Sequence, residues 1–190
     1  MIHSKNTILL LLLFALITGC GTKPLRRPRP AEWAIKQQHT PFHNFYKLND
    51  SIYRSEKPSL KGFHYAQQAG IQSVLDLRLQ HKDLPIAKGL SLHLYHVPMK
   101  SKYISDQMII DAMKIIKEAP KPLLVHCAHG SDRTGIVIAL YRILFQNWTK
   151  EAAINEMQQG GYHFHWIHKN LIRYLQNTDV EQLKKIIGIQ

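Results

Sequence analysis

Cysteine is nearly absent from these 190 residues and acidic side chains are scarce: Cys20 and Cys127 are the two thiols, and 13 carboxylates stand against 25 lysines and arginines. The two cysteines lie in such different surroundings that a bridge between them is a poor expectation, and each needs its own explanation. The shortage of acids leaves a formal charge of +12, which 12 histidines can raise under mild acid. Such a surface attracts anions, whether nucleic acid, anionic lipid or phosphorylated substrate. There is no internal repeat, no long low-complexity tract beyond a short N-terminal stretch, and no apolar run that spans a bilayer comfortably. What is present is an ordinary apolar fraction of 45% and enough length for one compact domain with a modest extension.

The extension comes first. Lys5 precedes an uninterrupted apolar run from Ile8 to Ile17, which has the length of the apolar region of an export signal. It ends in Ile17-Thr18-Gly19-Cys20, which resembles the lipobox of bacterial lipoproteins. That resemblance implies cleavage before Cys20, lipidation of its thiol and, with Gly21 rather than aspartate following, transfer to an outer membrane facing the periplasm. Residues 1–19 are then a signal peptide. Residues 20–43 form a lipidated N-terminus and tether, in which Lys23, Arg26, Arg27 and Arg29 sit among prolines that resist helix.

In the remaining 44–190, strand and helix patterns alternate. Ile52-Tyr53-Arg54, Val74 to Arg78, Ser91 to Val97 and Leu123 to His126 are short branched or aromatic runs bounded by turn formers, the last of them a central strand. Leu60 to Ala69 reads as a helix closing at Gly70, and Asp106 to Glu118 places Ile109, Ala112, Met113 and Ile116 on one face. Ile136 to Phe145 is apolar almost all round, as a buried helix is. Thr149 is the expected N-cap of a helix ending at Gly160, and Ile167, Leu171, Tyr174 and Leu175 outline another. The fold class is α/β, a single domain with a short, mostly parallel central sheet flanked by helices.

His126-Cys127-Ala128-His129-Gly130-Ser131-Asp132-Arg133-Thr134-Gly135 lies between the last strand and the apolar helix. Five residues between cysteine and arginine let successive backbone N–H groups of Ala128, His129, Gly130 and Ser131 converge on one point at a positive helix end, forming an anion nest that fits a phosphate dianion. Gly130 supplies a positive φ, and Arg133 can grip two phosphate oxygens in a fork. The same donors stabilise a thiolate, the nucleophilic form of Cys127. Thr134 can donate to the sulfur as it leaves, and His126 can brace the loop through its ring nitrogens.

This loop resembles that of the cysteine-dependent protein tyrosine phosphatases, and within them the compact dual-specificity branch with its bacterial periplasmic and Siw14-like members. The similarity runs from about Asn44 to Leu175 and includes Tyr53-Arg54-Ser55, Val74-Leu75-Asp76-Leu77-Arg78 and Tyr141-Arg142 through Trp148 to Gly161. It implies that 44–190 is a phosphatase domain in which Cys127 attacks phosphorus and Arg133 holds the transferring group, with no metal and no cofactor. A carboxylic acid elsewhere protonates the leaving oxygen and then activates water. The implied partners are a phosphorylated protein or a small polyanionic phosphate ester, with no nucleic acid, and a membrane through the N-terminal lipid.

The chain departs from the family at that acid. Pro98-Met99-Lys100-Ser101-Lys102-Tyr103, where it normally sits, holds lysines and no carboxylate. The substitutes are Asp132 inside the loop, Asp106 in the first turn of its helix, and His163, His165 and His168. Asp132 is the expected acid, because myotubularin-like lipid phosphatases also carry an aspartate immediately before the loop arginine. Asp106 equally suits the helix dipole. The histidines match no common metal-site spacing and read better as a solvated or substrate-facing rim. A phosphate-binding module with little turnover and a rhodanese-like sulfurtransferase are the competing classes, the latter disfavoured by the five-residue spacing and Arg133-Thr134.

Overall fold

In the computed structural model, residues 28–189 are described, and the expected signal peptide and Cys20 lie outside them. The sheet combines β1 (Ile35–Lys36), β2 (Tyr46–Lys47), β3 (Ile52–Ser55), β4 (Ser73–Asp76), β5 (His93–His96) and β6 (Leu123–His126) in the order β1-β2-β3-β6-β4-β5. β3, β6, β4 and β5 run parallel, whereas β1 and β2 add an antiparallel edge, so the sheet is mixed. β6 is central, as its unbroken apolar run requires. Leu123 and Val125 face one core and Leu124 the other, because successive side chains of a strand point to opposite faces.

One face is covered by α1 (Leu60–Gln68), whose Phe63 and Ala66 pack with Phe42, Phe45 and Val74. The larger core lies on the other face. There α3 (Asp106–Glu118), α5 (Lys150–Gln159), α6 (Lys169–Asn177) and α7 (Val180–Ile187) surround α4 (Asp132–Gln146), which is buried from Thr134 to Leu144. That helix starts four residues before the expected Ile136, because Arg133 and Thr134 already belong to its first turn.

Ser59, Ser105, Thr149 and Asp179 accept backbone N–H groups at the starts of α1, α3, α5 and α7. The side chain of Ser131 makes no such bond at the start of α4, which leaves its first N–H groups available to an anion.

The domain reaches further toward the N-terminus than the expected boundary at residue 44. Trp33, Ala34 and Phe42 are buried, and the Arg29 guanidinium donates to the carbonyls of Gly160 and Ala34 while lying over the Trp33, Tyr46 and Tyr162 rings. Arg29, expected in a solvated tether, is a clamp on the fold because its charge finds carbonyls and aromatic faces there.

The register decides where chemistry occurs. Ser55, Asp76 and His96 end β3, β4 and β5 in one row with His126, the last residue of β6. Polar side chains therefore collect beyond the carboxyl ends of the parallel strands, where open α/β sheets bind ligands.

Candidate active site

Cys127 follows that row and is almost fully buried, as a free thiol. The loop after it is shaped by groups that take its carbonyls from outside. Lys57 N–H donates to Ala128 O at 3.3 Å, Asn44 Nδ2 to His129 O at 2.8 Å, and the Arg54 guanidinium to Gly130 O at 2.6 Å. With three successive carbonyls turned outward, the intervening N–H groups turn inward. Among the described residues none of the N–H groups from Ala128 to Ser131 donates to another protein group. Free N–H groups in succession are what an anion nest requires.

Gly130 is needed for two reasons at once: its φ is +72°, and a Cβ there would lie 2.5 Å from the Ser55 backbone. Gly130→Ala must therefore push the loop off β3. We expect it to abolish stabilisation by tungstate in thermal unfolding, where saturating anion raises the wild-type midpoint. A wild-type response would show that the loop does not depend on this contact.

Arg54 is fully buried, and burial lowers its pKa below the usual arginine value against the opposing influence of Tyr162 and Glu156. Its guanidinium lies 3.6 Å from the Tyr162 ring centroid, and the Tyr162 hydroxyl donates to Glu156 at 2.8 Å. Burial, and then the negative charge of Glu156, push the Tyr162 hydroxyl well above the ordinary tyrosine range, although Arg54 opposes this. Glu156 also accepts two bonds from Arg142 and one from the Ala34 N–H. A buried polar chain thus runs from α5 to the loop.

On the opposite side, His126 Nε2 is 2.7 Å from Asp83 Oδ2, in the short α2 (Asp83–Ile86), and its Nδ1 is 3.3 Å from Cys127 O. Arg78 binds Asp76 through two nitrogens and also reaches Asp83. Burial opposes ionisation of Asp76, but the Arg78 hydrogen bonds and the His126 charge outweigh it and hold the carboxyl below its usual range. Asp76, His81 and His96, or Asp76, Asp83 and His126, lie close enough to suggest cation ligands. The Arg78 guanidinium already occupies the carboxylates, so these groups form an ion-pair network instead.

The remaining expected residues separate. Arg133 Nη1 reaches only Met99 O, at 3.5 Å, and the Thr134 hydroxyl is buried without a partner. Asp106 accepts a 2.6 Å bond from Tyr174, whose hydroxyl is pushed up by burial and by that carboxylate, so it ties α3 to α6. Asp132 opens α4, its Oδ1 accepting from His165 N at 3.0 Å and its Oδ2 lying 2.8 Å from His165 Nδ1. His163, His165 and His168 do not converge as cation ligands. Instead His163 and His165 join His43, Lys57, His129 and Ser131 in the lining of a cavity of about 590 Å³ beside the loop.

No local pattern in the sequence marks Asn44, Asp83 or Arg78 as partners of the loop or its flanking histidine, because each lies far from it in the chain. In the sequence Arg54 stands out as part of the strand Ile52-Tyr53-Arg54 and of Tyr53-Arg54-Ser55, with nothing to show that it reaches the loop.

Residues 40–187 match the tyrosine phosphatase family. The dual specificity protein phosphatase TpbA of Pseudomonas aeruginosa strain UCBPP-PA14 is 28% identical over 159 residues, which is 83% of this chain and 72% of that protein. The inositol diphosphatase SIW14 of Saccharomyces cerevisiae is 28% identical over 138 residues, covering 67% and 49% of the two chains. A crystal structure of P. aeruginosa TpbA in complex with pTyr superposes with a TM-score of 0.75 at 26% identity, over 84% of this chain and 98% of that one.

Proposed function

The chain belongs to the tyrosine phosphatase family, and on that footing we propose that it hydrolyses phosphate monoesters of tyrosine, and of serine and threonine, in proteins through a cysteinyl-phosphate on Cys127. The observation that carries this reading is the set of loop carbonyls held outward by Lys57, Asn44 and Arg54, which leaves an inward ring of N–H groups around the position a phosphate takes.

The Cys127 thiolate attacks phosphorus along the line of the leaving oxygen. Arg133 holds the equatorial oxygens, and Thr134 donates to the sulfur when water later displaces it. The backbone N–H groups of Ala128, His129, Gly130 and Ser131 bind the phosphoryl oxygens at the N-terminus of α4, where the helix dipole favours negative charge.

A second reading, a small polyphosphorylated ester such as an inositol phosphate, is favoured by the basic lining of the adjoining cavity and by likeness to inositol diphosphatases. Phosphate release from phosphotyrosine peptides, phosphoserine peptides, inositol phosphates and phosphoinositides separates the two. The first reading expects the highest kcat/KM on a phosphotyrosine peptide; an inositol phosphate exceeding it tenfold replaces that reading with the second.

The address is proposed on the lipobox alone. Cys20→Ala should move the protein from the membrane fraction to the soluble fraction, because no described helix is long and apolar enough to cross a membrane. Unaltered membrane association in cell fractionation would mean that the attachment lies elsewhere.

A further inference from the structure

The reaction needs a proton at the leaving oxygen, and the stretch from Pro98 to Tyr103 offers no carboxylate to give it. Asp132 is poorly placed to do so directly. Both of its oxygens are engaged by one residue, the backbone N–H and the ring of His165, and its side chain is 11% exposed. Asp106 is held by Tyr174. His165, in contrast, is 50% exposed at its side chain and lines the cavity together with Ala128, His129 and Ser131.

We propose that His165 is the general acid and base of this site, and that Asp132 is the positioning residue that holds it there. The inference rests on the cysteinyl-phosphate reading above.

Two contacts from Asp132, one to the main chain and one to the ring, fix the place and orientation of the imidazole. With Nδ1 donating to the Asp132 carboxylate, Nε2 is the atom left to exchange a proton. The charged and titratable groups around the ring are Asp132 from α4, His168 at the start of α6, with Nε2 3.8 Å from Asp132, and His129 of the loop, with its ring centroid 6.0 Å away. His163 lines the same cavity. Lys57 and Glu56 line that cavity too, but Glu56 is taken by the N–H groups of His43 and Asn44, and the carboxylate bonded to the ring is that of Asp132.

In the first step the Cys127 sulfur forms its bond to phosphorus while the bond from phosphorus to the ester oxygen breaks. The Nε2 proton passes to that oxygen, which leaves as a neutral alcohol. In the second, the neutral Nε2 takes a proton from water as the water oxygen bonds to phosphorus. The sulfur–phosphorus bond breaks, Cys127 departs as thiolate, and inorganic phosphate and the imidazolium result.

The test is the single-turnover rate of Cys127 phosphorylation by two substrates: phosphotyrosine, whose leaving group needs a proton, and p-nitrophenyl phosphate, whose phenolate leaves unaided. His165→Asn keeps an N–H for Asp132 but has no Nε2; His165→Gln is the companion variant should the first perturb the loop. Both should slow phosphotyrosine by roughly 10²–10⁴-fold, the usual contribution of a general acid, and hardly change p-nitrophenyl phosphate. Asp132→Asn should show the same leaving-group dependence to a smaller extent, as expected when a held ring loosens.

Equal slowing of both substrates by the His165 variants, or none, overturns the proposal. So does a full leaving-group effect in Asp132→Asn or Asp106→Asn with His165→Asn unaffected. A wild-type protein that fails to phosphorylate Cys127 with either substrate overturns the cysteinyl-phosphate reading as well, so the two failures are told apart.

Discussion

Cys127→Ser is expected to lower phosphate release on the order of 10⁶-fold, the scale that loss of an essential nucleophile produces in other covalent hydrolases, while tungstate still binds. The contrast follows from the division of labour in the loop. In the proposed reaction the nucleophile is one side chain, whereas the phosphate is held by the backbone N–H groups of a loop whose carbonyls are bonded by Lys57, Asn44 and Arg54. A serine hydroxyl fits the same small buried space. It is a far weaker nucleophile at neutral pH, because it has no accessible anion. Thermal unfolding with and without tungstate, beside phosphate release, measures both halves. Hydrolysis near the wild-type rate would contradict the role of Cys127, and loss of tungstate stabilisation would show that the nest needs the thiolate.

Glu156→Gln is expected to cost about 3–5 kcal/mol of stability, the penalty for leaving a buried charge without its partner. Arg142 and Glu156 are each 3% exposed and joined by two nitrogens at 2.8 and 2.9 Å. Glu156 also receives the Tyr162 hydroxyl and the Ala34 N–H on the oxygen that Arg142 Nη2 reaches, so an amide that keeps that oxygen still turns its NH2 on Arg142 Nε and leaves the guanidinium without a counter-charge. The midpoint of urea unfolding should fall accordingly. The double variant Arg142→Met with Glu156→Leu should recover much of the loss, because an apolar pair carries no desolvation penalty. A change below about 1 kcal/mol in the single variant would place the pair outside the cooperative core.

How legible all this was depended on the length of each signal. The four-residue runs at β3, β4 and β6 and the helical patterns at α1, α3 and α5 were readable because apolar side chains recur there with a clear period or cluster between breakers. β1 and β2 are two residues each, too short for any period, and are held by pairing, β1 to β2 and β2 to β3, rather than by their own sequence. The four-residue α2 was missed for the same reason, although its Asp83 holds His126. Arg29 reads as a solvated cation in a proline-rich stretch, and only tertiary structure brings Gly160, Tyr162 and Trp33 around it, so the packed domain begins before residue 44.

The loop's motif was legible because it is a local spacing, while the groups that hold its carbonyls, Lys57, Asn44 and Arg54, are remote in the chain and were not. The partner of Asp132 was not, because His165 lies 33 residues away in the chain. The three histidines read as a rim, and the cavity lining places His163 and His165 there; what the sequence did not carry was which one faces a carboxylate.

The covalent step is the centre of the account, and it is observed most directly by mass. Wild-type protein mixed with p-nitrophenyl phosphate and quenched in acid within one turnover should gain one phosphoryl group. Peptide mapping should place that group on Cys127, and the adduct should disappear as phosphate is released. A full burst of p-nitrophenol with no phosphoryl on the protein, or with the group on another residue, would contradict it.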